Sequence, residues 1–125
     1  MPKLTADQYV RATAARLAHM TQAYAIIIFA NIATMFAILA YASSAGLAAR
    51  FALAMIVVAI MAYGVLATKS ALDDLQAMLN DAVEDFSGSS FGARLKQIPM
   101  VLYTGASIIL VLAMGVTQLW AIISA

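Results

Sequence analysis

The sequence contains no cysteine, which excludes disulfides, thiol nucleophiles and thiolate metal sites. Charge is scarce. Seven Lys and Arg and six Asp and Glu in 125 residues leave a formal net charge of +1, so no global field steers nucleic acid towards the chain. Histidine occurs once, as His19, and one imidazole without a carboxylate motif does not make a zinc or haem ligand set. There is no P-loop, HExxH or GxSxG string. Neither proline nor glycine falls between Thr5 and Tyr41, or between Lys69 and Phe86, so nothing there breaks a helix.

Apolar residues take the place of all this. They make up 65% of the chain, and only 10% is charged; soluble domains run near ~25% charged. From Ala23 to Thr68 the one formally charged residue is Arg50. Two apolar runs flank Ser43-Ser44-Ala45-Gly46, each near the ~20 residues that a helix needs to cross a ~30 Å hydrocarbon core. The fold expected is all-α, a polytopic membrane protein with three transmembrane helices in one membrane domain over 1–125. The first span covers about 23–41, the second about 49–68 and the third about 99–123. Tyr24, Tyr41, Tyr103 and Trp120 lie near span ends, where interfacial aromatics gather. Arg50 can snorkel to the headgroups, and Pro99 suits the first turn of the third span.

Both ends of the first two spans extend into polar sequence. Thr5 and Gln8 have capping-box spacing, so residues 5–22 read as an amphipathic helix continuous with the first span. Val10, Ala14, Leu17 and Thr21 share one face at 3–4 spacing, and Arg11 and Arg16 lie off it. Residues 69–86 read as an acidic amphipathic helix with an apolar seam of Leu72, Leu75, Leu79, Ala82 and Phe86 at 3–4 spacing. Residues 87–97 read as a loop. Together the first two helices form a long antiparallel hairpin of residues 5–86. No cleavable signal is evident, since the first apolar run is longer than a signal h-region. Lys3, Arg11, Arg16, Lys69, Arg94 and Lys96 fall on one side of the three spans and Arg50 alone on the other. The positive-inside rule then sets the N-terminus and the hairpin's projecting end in the cytoplasm and the C-terminus outside, in the cell (inner) membrane.

Few side chains stand out as sites. Asn31 is the most polar group deep in a span, with Thr34 three residues on. Both are expected to make an interhelical polar contact. Thr117 and Gln118 fall late in the third span, too shallow to join them. A hairpin folded about residues 45–46 sets Arg16 beside Asp73 and Gln76, Arg11 beside Asp81, and His19 beside Asp73. Arg11 and Arg16 are therefore expected to form ion pairs across the hairpin. Asp73, Asp74, Asp81, Glu84 and Asp85 make an acidic strip that anionic headgroups repel, which suits docking of a basic partner surface.

The string Leu79-Asn80-Asp81-Ala82-Val83-Glu84 is similar to part of the active-site pattern E-x-x-N-x-A-[IV]-E of bacterial diacylglycerol kinases. That family also has about this length and three spans. The resemblance implies a membrane lipid kinase. The family's catalytic first glutamate falls on Ala77 here, so no catalytic residue carries over.

The function expected is that of a non-catalytic accessory or structural subunit of a larger or oligomeric membrane complex, docking through the cytoplasmic helical extension. No catalytic, cofactor or metal site is assigned. The partners are membrane lipids and other membrane subunits or further copies of the chain, with no nucleic acid. The alternatives are a homo-oligomeric channel or small transporter, lined by Asn31 and Thr34, and the lipid kinase.

Overall fold

The computed structural model describes residues 5–125, apart from the Ala6 side chain. They are all-helical, at 88% helix without strands. Helix α1 spans Ala6–Tyr41, α2 spans Leu47–Asp85, α3 spans Ser90–Leu95 and α4 spans Met100–Ser124. Three of these, α1, α2 and α4, are long and apolar enough to cross a membrane. They fit a multi-pass membrane protein.

The helix ends follow from local chemistry. The Gln8 backbone N–H donates to Thr5 Oγ1 at 3.4 Å, and the Thr5 N–H donates to Gln8 Oε1 at 3.0 Å. This is the reciprocal capping box. The link between α1 and α2 is held by Arg50. Its Nε donates to the Ala45 carbonyl at 3.1 Å and its Nη2 to the Ser43 carbonyl at 3.3 Å. One guanidinium thus serves acceptors in a link that no following helix turn can reach. With 36 and 39 residues, α1 and α2 measure about 54 and 58 Å at ~1.5 Å per residue, well beyond a ~30 Å hydrocarbon core.

Residues 87–97 are more ordered than a plain loop. Gly88 takes φ +87°, which glycine adopts without a Cβ penalty. Ser89 then accepts from the Gly92 N–H at 3.0 Å and starts α3. Phe86 and Phe91 stack edge to face at 5.3 Å, a favoured aromatic geometry. The short helix packs back on α2 and returns the chain towards the start of α4.

Helix α2 is the centre of the bundle. It packs on α1, α3 and α4, most extensively on α4, while α1 and α4 meet sparingly. Glycines permit the close approach. A Cβ on Gly64 would meet Val111 Cγ1 at 2.9 Å and Ile27 Cγ2 at 3.8 Å; one on Gly115 would collide with the Met61 sulfur. Gly64 therefore lies against Val111 and Gly115 against Met61, so α4 runs antiparallel to α2. Continued at that step, the start of α4 comes abreast of the turn at Asp73–Leu75, and its end stops short of the α1–α2 link. Helix α4 is thus displaced along the bundle rather than centred on the first two spans. Small buried elements seal the other end, where Ile38, Ala42, Val57 and Ile122 cluster. Large apolar side chains such as Phe29, Phe36, Leu39, Leu66, Val101 and Ile109 are exposed all round, as lipid-facing residues are.

The expected apolar face of residues 5–22 is largely exposed. Val10 and Leu17 are exposed at 63% and 44%, whereas Tyr9, Thr13 and Met20 are half-buried, and Tyr9 and Met20 lie towards α2. The acidic helix keeps its seam at Leu72, Leu75, Leu79 and Ala82, while Phe86 is exposed and turns to Phe91.

Replacing Gly64 with leucine should lower unfolding free energy by ~1–3 kcal/mol, the usual cost of overpacking. Gly105, with nothing within 4 Å of its would-be Cβ, should accept leucine without loss. Denaturation by SDS in mixed micelles, followed by circular dichroism, measures both.

Candidate functional site

Among the described residues, four buried polar ones lie among the apolar: Asn31, Thr34, Thr68 and Gln118. Asn31 and Gln118 form one unit between α1 and α4. Gln118 Nε2 donates to the Asn31 carbonyl at 3.2 Å and to Asn31 Oδ1 at 3.3 Å. Asn31 Nδ2 in turn donates to the Ile27 carbonyl at 2.8 Å. One amide therefore spends its donor on its own helix and its acceptor on the neighbour. Gln118 is 2% exposed, and water does not compete for these bonds.

Thr34 lies one turn along but does not join this unit, because its hydroxyl donates to the Ala30 carbonyl of its own helix at 2.7 Å. This back-bonding is the common resting state of a helical threonine. The interhelical contact expected of Asn31 and Thr34 thus runs through Asn31 alone. Gln118 Oε1 and Thr68 Oγ1 are buried without a hydrogen-bond partner among the described residues. Such groups carry a desolvation penalty, so the unit contributes less net stability than its two bonds suggest.

Gln118 lies deeper than the sequence predicts, and the displacement of α4 explains the difference. A span centred by hydropathy puts Gln118 near the outer interface; the Gly115–Met61 and Gly64–Val111 contacts carry it to the depth of Asn31. Gly115 and Gln118, three residues apart on one helix face, were the available signal. Gly64, the one glycine inside the second apolar run, was the other.

At the far end of α1 and α2 the charges pair differently from the simple hairpin register. Arg16 Nη1 meets Asp74 Oδ2 at 2.8 Å, one residue from the expected Asp73. Asp73 is taken by Lys69, four residues back, at 2.6 Å. Arg11 pairs within its own helix with Asp7, at 2.9 Å, and forms no ion pair with Asp81 among the described residues. An i,i+4 partner on the same helix needs no help from a second helix. Tyr9 adds a tie, its hydroxyl donating to the Met78 carbonyl at 3.0 Å. Within the string compared with the lipid kinases, Asn80 accepts from Gln76 Nε2 at 3.0 Å on the same helix. Asp81, Glu84 and Asp85 are exposed and form no ion pair among the described residues.

Between α1 and α2, just inside the Arg16–Asp74 pair, lies an open cleft of about 270 Å³. Leu17, Met20, Leu75 and Met78 wall it, and the small side chains of Ala23, Ala67, Ser70 and Ala71 leave the space. No group of three or more His, Cys, Asp or Glu that could hold a metal occurs among the described residues. No protein-family model, curated protein or solved structure matches the chain.

Replacing Gln118 with leucine should change unfolding free energy by no more than about 1 kcal/mol, because the loss of interhelical bonds is offset by removal of the orphaned Oε1. Glutamate at the same position turns an acceptor towards both Asn31 oxygens and should cost ~2–3 kcal/mol at neutral pH. The same detergent titration, run on both variants, checks the contrast.

Proposed function

We propose that this chain is a non-catalytic integral membrane protein, an accessory subunit of a larger or oligomeric membrane complex, that docks through the projecting ends of α1 and α2. The observation that carries this reading is the division of labour in the acidic strip. Asp73 and Asp74 are engaged by Lys69 and Arg16, whereas Asp81, Glu84 and Asp85 lie further out, exposed, with no ion pair among the described residues. Three carboxylates within two helical turns raise a local negative potential that a basic surface can meet. An anionic bilayer surface repels it. The complementarity of such patches favours encounter and orientation over raw affinity.

The distribution of basic residues supports a cytoplasmic location for this end. Six of the seven lie on its side of the three apolar helices, which the positive-inside rule reads as N-terminus in and C-terminus out across a cell membrane. The lengths of α1 and α2 leave several turns beyond the hydrocarbon to carry the docking face. The ties from Arg16 to Asp74 and from Tyr9 to Met78 hold those turns together.

Affinity purification in mild detergent tests this directly. The tagged wild-type chain should bring down a companion in fixed ratio. Reversing Asp81 and Glu84 to lysine should cut its recovery about tenfold, a change of ~1.4 kcal/mol, and the variant should stay in the membrane at normal level. Unchanged recovery would remove the docking face from the acidic strip.

A further inference from the structure

The cleft between α1 and α2 is not used by the docking face, and its chemistry is distinct. Its residues come from two facing stripes. Arg16, His19, Met20 and Ala23 follow one face of α1, and Ala67, Ser70, Ala71, Asp74 and Met78 one face of α2. The floor is apolar and the mouth is charged with both signs, Arg16 and His19 on one wall and Asp74 on the other. The displacement of α4 sets its depth. Val101 and Leu102, exposed and apolar, come nearly abreast of Asp74, so the mouth lies where an apolar belt gives way to charge. The headgroups of a bilayer meet a spanning protein at such a boundary.

We propose that this cleft binds a zwitterionic phospholipid whose headgroup carries a primary ammonium beside its phosphate, with the top of one acyl chain in the apolar slot. The charge pattern selects this occupant. Arg16 spends one N–H on Asp74 Oδ2, and a guanidinium has five. The others can donate to a phosphate oxygen, with the exposed His19 beside them. Asp74 Oδ1 remains as an acceptor for the ammonium. The ion pair is exposed, at 62% and 47% for the two side chains, so little energy resists its rearrangement. A lipid with a purely anionic headgroup leaves Asp74 facing its charge. A quaternary ammonium offers Asp74 no N–H. The volume of about 270 Å³ is below the ~300 Å³ at which pockets enclose whole drug-sized ligands. It suits one headgroup and part of a chain, the rest lying along the exposed apolar helix faces.

Native mass spectrometry of the full chain, released from micelles with phosphatidylethanolamine, phosphatidylcholine or phosphatidylglycerol added in equal amount, reads this out. The wild type should retain the ethanolamine lipid about tenfold better than either of the others, the effect of one charge-assisted hydrogen bond. Asp74→Asn should abolish the preference over choline. Arg16→Gln should weaken retention of every phospholipid. Ala71→Leu fills the slot without touching a charge and should lower retention with no change in preference. Equal retention of the three lipids by the wild type, preference for the glycerol lipid, or an unaltered preference in Asp74→Asn would each overturn the assignment. A melting curve on each variant shows that the bundle is intact, and Ala71→Leu carries the test should Asp74→Asn fail to fold.

Discussion

The hydrogen bonds from Gln118 to Asn31 are the one described polar side-chain tie between α1 and α4, and the arrangement of the bundle depends on them. Inside hydrocarbon each helix satisfies its own backbone, and apolar side chains gain nothing by leaving lipid for one another. What remains to hold helices together is close packing and the occasional buried polar contact. Here both are used. Gly64 and Gly115 bring α2 and α4 together, and Gln118 then reaches α1, which α4 otherwise touches little. Packing at the two glycines sets the depth of α4 against α2, and the amide contact ties α4 to α1 at that depth.

That depth has consequences at both ends. With Gln118 level with Asn31, α4 lies towards the charged ends of α1 and α2. Its apolar N-terminal turns then stand beside the region where Lys69, Asp73, Asp74 and Arg16 pair. The boundary between apolar and charged surface is drawn through the α1–α2 interface at a place where alanines leave a cleft. Beyond the boundary the two long helices continue, tied by Tyr9 and Arg16, and present the outer carboxylates. Short α3 spans the distance back. A different register of α4 would leave the same helices without this layout.

The three long helices were legible in the sequence, whereas α3 falls where it reads as a loop. The absence of proline and glycine over 5–41 and 69–86, the Thr5–Gln8 box and the turn before Gly46 predict α1 and α2 to within a residue or two, and Pro99 marks α4. Their faces were far less legible. Where nearly every residue is apolar, 3–4 spacing matches several faces at once and no longer singles out the inner one. Val10 is exposed for that reason. Depth was illegible too, since hydropathy measures the length of an apolar run and not its position against its neighbours. Gln118 therefore reads as shallow in the sequence and lies deep in the fold. The charge pairs shifted because local partners compete. Asp7 claims Arg11 and Lys69 claims Asp73 from the same helix, which leaves Asp74 for Arg16.

The coupling between Asn31 and Gln118 is the quantity on which this arrangement turns. A double-mutant cycle with Asn31→Ala, Gln118→Ala and both together, read as unfolding free energy in mixed micelles, isolates it. The predicted coupling is favourable and about 0.6–1.7 kcal/mol, the range for hydrogen bonds between membrane helices. Additive effects of the two substitutions would contradict it, because the two side chains would then not meet and α4 would stand at another depth.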